Sequence, residues 1–275
     1  MKLRELFEAK MSSDAPDILQ DIKKKCGEAL KLYQEKGFCL YRGLNTEVYP
    51  VEITPTQRAS KISQYFTPFL FVTSDPSWNK FPRRDHSIMC TTDLAYATRW
   101  DSFTAVVFPY DNTVFGITEG EDFNLDSFPH MDMLLGNRHP FHVMMESVDR
   151  MFSRLTRYDA DAKSSLDEIS DYFKNAKSTD GVQYDVIKDY IEKTKSMYSK
   201  ELDVFFKELL KHDGDIVSLY RELFDPKKNG FQIAKGMDEL YSKVRKETRE
   251  VWFDNKCIYV PIEWLTMYKS TIAKL

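Results

Sequence analysis

The chain has 275 residues, of which 42% are hydrophobic and 30% are charged, the composition of a globular protein that can bury a core of its own. Its formal net charge of −4 disfavours broad, charge-driven binding to nucleic acid, so small molecules and proteins are the first expected partners. Because there is no apolar signal segment and no run near the ~20 apolar residues of a membrane span, we expect a cytoplasmic protein without membrane contact.

The N-terminal third alternates between helical and strand-like patterns. Apolar residues recur at helical spacing over residues 14–36, which predicts an amphipathic helix that ends at Gly37. The apolar run in residues 38–42 is typical of a short buried strand with Arg42 at its exit. A Thr-Pro pair then predicts a second helix over residues 54–65, and residues 68–86 predict an irregular loop.

The next segment predicts a strand, a polar turn and a short helix. Residues 87–91 form a second apolar run that is typical of a strand. Thr92-Asp93 follows it and can cap a short helix that carries Tyr96.

Two pairs of segments rich in β-branched and aromatic residues predict hairpins. The first hairpin joins residues 103–109 to 113–118, and the second joins residues 250–253 to 256–260. Because the second hairpin is too small to be stable alone, we expect it to complete the sheet begun by residues 38–118.

The residues between the two hairpins set the expected domain organisation. Residues 139–246 are almost entirely helical in pattern and predict an insertion with its own core. Residues 1–138 then hold the N-terminal helix and the first part of a β-sheet core, which residues 247–275 complete with the last hairpin and a C-terminal helix. The expected fold class is α+β, with a mixed sheet split by a large helical insertion.

Metal-ligating residues do not occur at the spacings of known metal sites. His139 and His142 form an H-x-x-H near His130, but the helical zinc motif H-E-x-x-H is absent. The segment 225–236 lacks the acids of a calcium loop at its third and twelfth positions, so we expect a turn there. His212-Asp213 is expected to mark a helix end. The cysteines are too far apart in sequence to predict zinc or a disulfide framework; they are Cys26, Cys39, Cys90 and Cys257.

Three polar groups at strand ends are candidates for chemistry. Arg42 could bind a phosphate with two hydrogen bonds, and Gly43 would let a ligand approach the backbone. The hydroxyl groups in Cys90-Thr91-Thr92 could hold a sugar, and Glu250 opens a late strand. Each has a structural alternative, namely a surface arginine, a helix cap, and an edge carboxylate paired with Lys246 or Arg249.

The order of these groups resembles the arginine, serine-threonine-serine, glutamate pattern of mono-ADP-ribosyltransferases. The segments LYRGL, FPRRDHSIMCTTDLAYA, VVFPYDNTVFGITEGEDF and REVWFDNKCIYV resemble ADP-ribosyltransferase-like proteins of tailed bacteriophages. The resemblance covers residues 37–126 and 246–262, and it does not include the predicted insertion.

The resemblance implies an ADP-ribosyltransferase-like fold and NAD-dependent mono-ADP-ribosyl transfer to a macromolecular host target, in the host cytoplasm or from the virion. It makes Glu250 the catalytic residue. It assigns NAD, the substrate, to Arg42, Gly43, Cys90, Thr91, Thr92 and Tyr96. The alternative is a catalytically inactive relative that acts as a virion or host-interaction protein.

Two positions depart from the family pattern. Cys90 stands where the family has the first serine of the triplet, the residue that positions the glutamate. Thr248 stands where arginine-modifying members carry a second acid, and Glu247 is one residue out of register. The departures disfavour arginine as the acceptor and leave the inactive alternative open.

Overall fold

The structure is a computed structural model that describes most of the chain outside residues 136–203. The described residues are 17–56, 71–73, 75–123, 127–135, 204, 207–213, 216–245 and 247–272. The chain divides into two compact units, one made of residues 1–56, 86–122 and 233–275 and the other of residues 57–85 and 123–232. No helix within the described part is long and apolar enough to cross a bilayer.

The first unit is built on an eight-stranded sheet with the order β2-β8-β4-β1-β3-β7-β5-β6. The strands are β1 (Leu40–Leu44), β2 (Val51–Ile53), β3 (Ile88–Thr91), β4 (Phe103–Pro109), β5 (Val114–Ile117), β6 (Gln232–Lys235), β7 (Glu250–Phe253) and β8 (Cys257–Pro261). The pairs with a defined register are all antiparallel. The α+β class is therefore confirmed, and the strands predicted in residues 38–118 and 250–260 share one sheet. The sheet is antiparallel, so the expectation of a mixed sheet is wrong.

Both predicted hairpins are wrong, although their strands exist. β4 pairs with β1 and β8, whereas β5 pairs with β7 and adjoins β6. β7 likewise pairs with β3 and β5 rather than with β8. Side-chain type and turn residues identified each strand and each turn, but they do not determine which strand becomes the neighbour.

The connections between these strands require the sheet to bend. Four steps between neighbouring strands would separate β4 from β5 by ~19 Å in a flat sheet. The chain from Pro109 to Val114 can span at most ~18 Å, and that from Phe253 to Cys257 at most ~14 Å. The Tyr110 N–H donates to the Lys256 carbonyl at 3.0 Å, so the two connections lie side by side. The half-sheet β2-β8-β4-β1 therefore folds over the half-sheet β3-β7-β5-β6.

The bend lies between β1 and β3. These strands share a single registered pair, Tyr41 with Thr91, whereas β1 pairs with β4 at five positions and β3 with β7 at four. Side chains from both half-sheets, including Leu40, Val107, Cys90 and Val251, belong to one buried hydrophobic cluster. Burial of this cluster is the main force that closes the two halves on each other.

The first predicted helix is interrupted. Residues 17–25 are helical, and a second helix, α1, covers Gly27–Lys36. Cys26 between them has a non-helical backbone with φ −128° and ψ 35°, and its thiol donates to the Phe108 carbonyl at 3.3 Å. Gly37 ends α1 in the left-handed region with φ 64°, as predicted.

The helix predicted after Thr92-Asp93 is confirmed as α2, Leu94–Trp100. Its cap is Asp93, whose carboxylate accepts the Tyr96 N–H at 2.8 Å. Of the helix predicted over residues 54–65, residues 54–56 are not helical and the rest lie outside the described residues. β2 at residues 51–53 was not predicted.

Further helices belong to both units, and residues 207–211 are also helical. The further helices are α3 (Pro129–Leu135), α4 (Ile216–Leu223), α5 (Met237–Val244), α6 (Ile262–Met267) and α7 (Lys269–Ile272). α6 and α7 provide the expected helical C-terminus. The predicted insertion, residues 139–246, is not helical throughout, because β6 lies within it and forms an edge of the sheet. Residues 139–203 lie outside the described part.

The second unit has an aromatic core. The segment predicted as an irregular loop contains helical residues 71–73 and two short 3₁₀ turns, Pro76–Trp78 and Arg84–His86. Rings pack edge-on or tilted with centroids 4.9–6.5 Å apart; they are Phe71, Trp78, Phe81, Phe123, Phe128, Tyr220, Phe224 and Phe231. Asn229 is buried and donates to the carbonyls of Leu223 and Asp225, so segment 225–230 forms a turn, as expected.

Candidate functional site

The residues proposed from the sequence lie on neighbouring strands at the bend of the sheet. Arg42 lies on β1, Thr91 on β3 and Glu250 on β7, which are three consecutive strands. Tyr41 is registered with Thr91, and Thr91 with Glu250. Residues more than 200 positions apart in the sequence therefore form one row across three strands.

Arg42 lies within β1 and not at its exit, because Gly43 and Leu44 continue the pairing with β4. Its guanidinium Nη1 donates to the carbonyl oxygen of Met89 at 2.7 Å. The contact lies where the β1–β3 ladder would continue if the strands did not diverge. A guanidinium has five N–H donors, and this is the hydrogen bond that Arg42 makes within the described part of the chain.

Strand alternation distributes the site residues over both faces of the sheet. Registered partners share a face, so the side chains of Tyr41, Thr91 and Glu250 lie on one face. Arg42 and Cys90 are each one residue away from this row and lie on the other face. Thr91 is 0% exposed and Glu250 is 2% exposed, whereas Tyr41 is only partly buried.

Cys90 is a fully buried thiol in the middle strand of the site. Burial raises the pKa of its thiol to about 12, with Glu250 raising it further and Arg42 lowering it. The thiol therefore stays protonated near neutral pH and does not act as a nucleophile.

The two threonines of the triplet are engaged with the backbone. The Thr91 hydroxyl accepts the Asp93 N–H at 3.2 Å at the entrance to α2. The Thr92 hydroxyl donates to the Glu247 carbonyl at 3.0 Å and accepts the Arg249 N–H at 3.0 Å. Thr92 therefore connects β3 to the residues that precede β7, an interaction that the sequence did not indicate.

Gly43 is buried under α2. A Cβ atom at this position would lie 2.7 Å from the Ala97 carbonyl oxygen and 3.0 Å from the Trp100 Cβ. Close packing of α2 on β1 therefore requires glycine at this position, which is a reason independent of any ligand.

Tyr96 lies on α2, which packs on β1 and β3. Its ring is half-buried and packs edge-on against Trp100 with centroids 5.3 Å apart. The Arg99 guanidinium lies 5.9 Å from the Tyr96 ring centroid. Because α2 packs on Gly43, this aromatic pair is anchored beside the strand that carries Arg42.

The residues before Glu250 form their own contacts. The Thr248 hydroxyl donates to the Asp93 carboxylate at 3.4 Å. Asp93 follows β3, so its carboxylate lies near Thr248, the position where arginine-modifying members carry a second acid. Arg249 forms an ion pair with Glu247, which replaces the pairing with Glu250 considered as a structural alternative. Lys246, the other alternative partner, lies outside the described residues.

The histidines and cysteines that were considered as metal ligands have other surroundings. His130 Nε2 lies 2.8 Å from Glu222 Oε1, while His139 and His142 lie outside the described residues. His212-Asp213 closes a helix, and Asp213 has a left-handed φ of 54°. All four cysteines are buried free thiols. Across the described ranges, no three His, Cys, Asp or Glu side chains are grouped as a metal site would require.

Comparison of the chain with protein-family models, with curated proteins and with solved structures gave no match.

Proposed function

We propose that this chain is an NAD-dependent mono-ADP-ribosyltransferase that modifies a macromolecular target. The observation that carries the proposal is the position of Arg42, Thr91 and Glu250 on three consecutive strands at the bend of one sheet. This is the order of groups that the resemblance to mono-ADP-ribosyltransferases implies, brought together from distant parts of the chain.

The charges at the bend complement those of NAD. NAD carries a negative pyrophosphate, and its ribose becomes positively charged as the bond to nicotinamide breaks. Arg42 provides a guanidinium whose remaining N–H groups can bind a phosphate, while its contact to Met89 fixes the group at the bend. Glu250 provides a carboxylate that would stabilise positive charge on the ribose.

Burial strengthens the contribution expected from Glu250. A carboxylate that is 2% exposed acts in a low-dielectric environment, where a nearby developing charge is stabilised more than in water. The backbone on both sides of Glu250 is held by hydrogen bonds from flanking strands, so the group needs little reorganisation during the reaction.

The test is incubation with NAD labelled in its adenylate phosphate and a bacterial lysate, followed by gel separation. Glu250→Gln keeps the size of the side chain and removes its charge, so label transfer should fall on the order of 10²–10³. Calorimetry should give nearly the same NAD affinity for both proteins. Glu247→Gln is the matched control, because its carboxylate is 55% exposed and paired with Arg249, and transfer should persist. Equal labelling by the natural chain and Glu250→Gln would refute the assignment.

The alternative is a catalytically inactive protein of the same fold that acts through binding to a virion or host component. One observation favours it: Cys90 replaces the hydroxyl that would position Glu250. The same calorimetry distinguishes the two functions. NAD binding without transfer to any lysate component, by either protein, supports the inactive alternative, and absence of NAD binding excludes the enzyme.

A further inference from the structure

Two threonines hold the backbone around Glu250 from opposite sides in the same way. On the β3 side, the Thr92 N–H donates to the Arg249 carbonyl at 3.1 Å, and the Arg249 N–H donates to the Thr92 hydroxyl at 3.0 Å. On the β5 side, the Thr118 N–H donates to the Glu250 carbonyl at 3.0 Å, and the Glu250 N–H donates to the Thr118 hydroxyl at 3.1 Å. Each threonine thus forms two hydrogen bonds with the backbone of one residue, one through its own N–H and one through its hydroxyl.

The Thr118 hydroxyl proton points towards backbone carbonyls. Its acceptors are the Gly120 carbonyl and the Glu250 carbonyl, the latter 3.1 Å away, and its oxygen accepts the Glu250 N–H. Thr118 is 1% exposed, so water cannot replace this hydroxyl without a rearrangement of the sheet. The Thr92 hydroxyl is oriented in the same manner by its donation to the Glu247 carbonyl.

We propose that Thr118 is a positioning residue for Glu250, with Thr92 as its counterpart on the other side of β7. The proposal rests on the proposed function, since it gives Thr118 a part in the reaction through Glu250. Glu250 is the first residue of β7, where a strand would otherwise fray, and the registered β5–β7 pairs end at Ile117 and Val251. Thr118 extends this pairing by one residue through its side chain, which keeps the Glu250 backbone in place.

The discriminating variants are Thr118→Val, Thr118→Ser and Thr113→Val. Valine preserves the shape of threonine but leaves the Glu250 N–H without its acceptor, whereas serine retains the hydroxyl. Thr113 is a matched control because it is also 1% exposed. Its hydroxyl donates to the Tyr110 carbonyl at 2.6 Å and accepts from the Asn255 side chain at 3.0 Å, in the turns at the other end of the strands.

The first measurement is hydrogen exchange by mass spectrometry on peptides that cover residues 247–252. Exchange should be about tenfold faster in Thr118→Val than in the natural chain, and it should be unchanged in Thr113→Val. Thr92→Val should also accelerate it. If Thr118→Val and Thr113→Val give the same exchange in this peptide, Thr118 does not hold Glu250 and the proposal is overturned.

The second measurement is the rate of NAD cleavage, with kcat and KM determined separately. Thr118→Val should lower kcat about tenfold without raising KM, Thr118→Ser should restore kcat, and Thr113→Val should leave both unchanged. Faster exchange with an unchanged kcat would overturn the positioning role. If the natural chain does not cleave NAD, the proposed function and the catalytic part of this inference fail together, while the exchange result still decides whether Thr118 holds the Glu250 backbone.

Discussion

The guanidinium of Arg42 donates a hydrogen bond to the carbonyl oxygen of Met89, 2.7 Å away, at the point where β1 and β3 stop pairing. A backbone carbonyl that would otherwise lose its ladder partner is satisfied by this side chain. The arginine therefore has a structural contact and a position from which its other N–H groups can reach a ligand.

Arg42→Ala should weaken NAD binding by ~1.5–3 kcal/mol, the usual contribution of charged hydrogen bonds, as measured by calorimetry. Arg99→Ala removes an exposed guanidinium of α2 and should leave the affinity nearly unchanged. Circular dichroism must show that each variant is folded. An unchanged affinity in folded Arg42→Ala would assign this residue to the stability of the bend alone.

Gly116→Ala should destabilise the sheet near Glu250 by overpacking. Gly116 is registered with Trp252, and a Cβ atom on Gly116 would lie 2.2 Å from the indole ring. We expect a loss of ~1–3 kcal/mol in the free energy of unfolding, measured in urea. In a Trp252→Leu background, Gly116→Ala should lower the free energy of unfolding by less than it does in the natural chain. Equal effects in both backgrounds would mean that the ring is not the obstacle.

The thiols should be unreactive in the native protein at pH 8. Burial raises the pKa of Cys90 to about 12 and that of Cys39 to about 11, and it also raises the pKa values of Cys26 and Cys257. A colourimetric disulfide reagent should detect all of them in guanidinium chloride and react slowly without it. Cys39 should react first because it is 6% exposed while the others are fully buried, and Cys39→Ser should remove this phase. Rapid native labelling of Cys90 would contradict its burial.

Stability should depend on pH through Glu52. Hydrogen bonds from Tyr110, Lys25 and Lys256 lower the pKa of this carboxyl from 4.5 to about 2. Because the folded pKa is below the ordinary value, the stabilisation is complete above pH 4.5 and is lost as the pH falls towards 2. The difference in Tm between the natural chain and Glu52→Gln should therefore be constant near neutrality and shrink below pH 4.5. A difference in Tm that does not change with pH would show that the ion pairs of Glu52 with Lys25 and Lys256 are not its source.

The local structure of this protein follows from its sequence wherever a short-range signal exists. Gly37 ends α1 because only glycine enters the left-handed region at no steric cost, and Asp93 caps α2 because its carboxylate reaches an N–H three residues on. The β-branched and aromatic runs likewise predicted β4 and β7. The interruption at Cys26 had no such signal, since the backbone groups on either side of it, the Lys25 carbonyl and the Glu28 N–H, bond to the distant Asp111.

The candidate site could be predicted only as separate residues. Arg42, Thr91 and Glu250 were recognised by type and order, whereas Thr118 was not, because its role depends on the side chain of a strand that adjoins β7. Gly43 shows the reverse case, in which packing of α2 explains a residue that the sequence suggested for ligand binding. The roles assigned to these residues in NAD binding and catalysis remain predictions.

The sequence by itself determined most of the strands of the sheet, the helix after Asp93 and the end of α1 at Gly37, but not β2 or β6. The tertiary structure alone decided that β4 pairs with β8 and β5 with β7, and that the sheet bends between β1 and β3. The physical reason is the sequence distance over which each kind of interaction acts. Capping, turn formation and side-chain preference act within a few residues, whereas strand partners are selected by burial of one common core whose members come from distant parts of the chain.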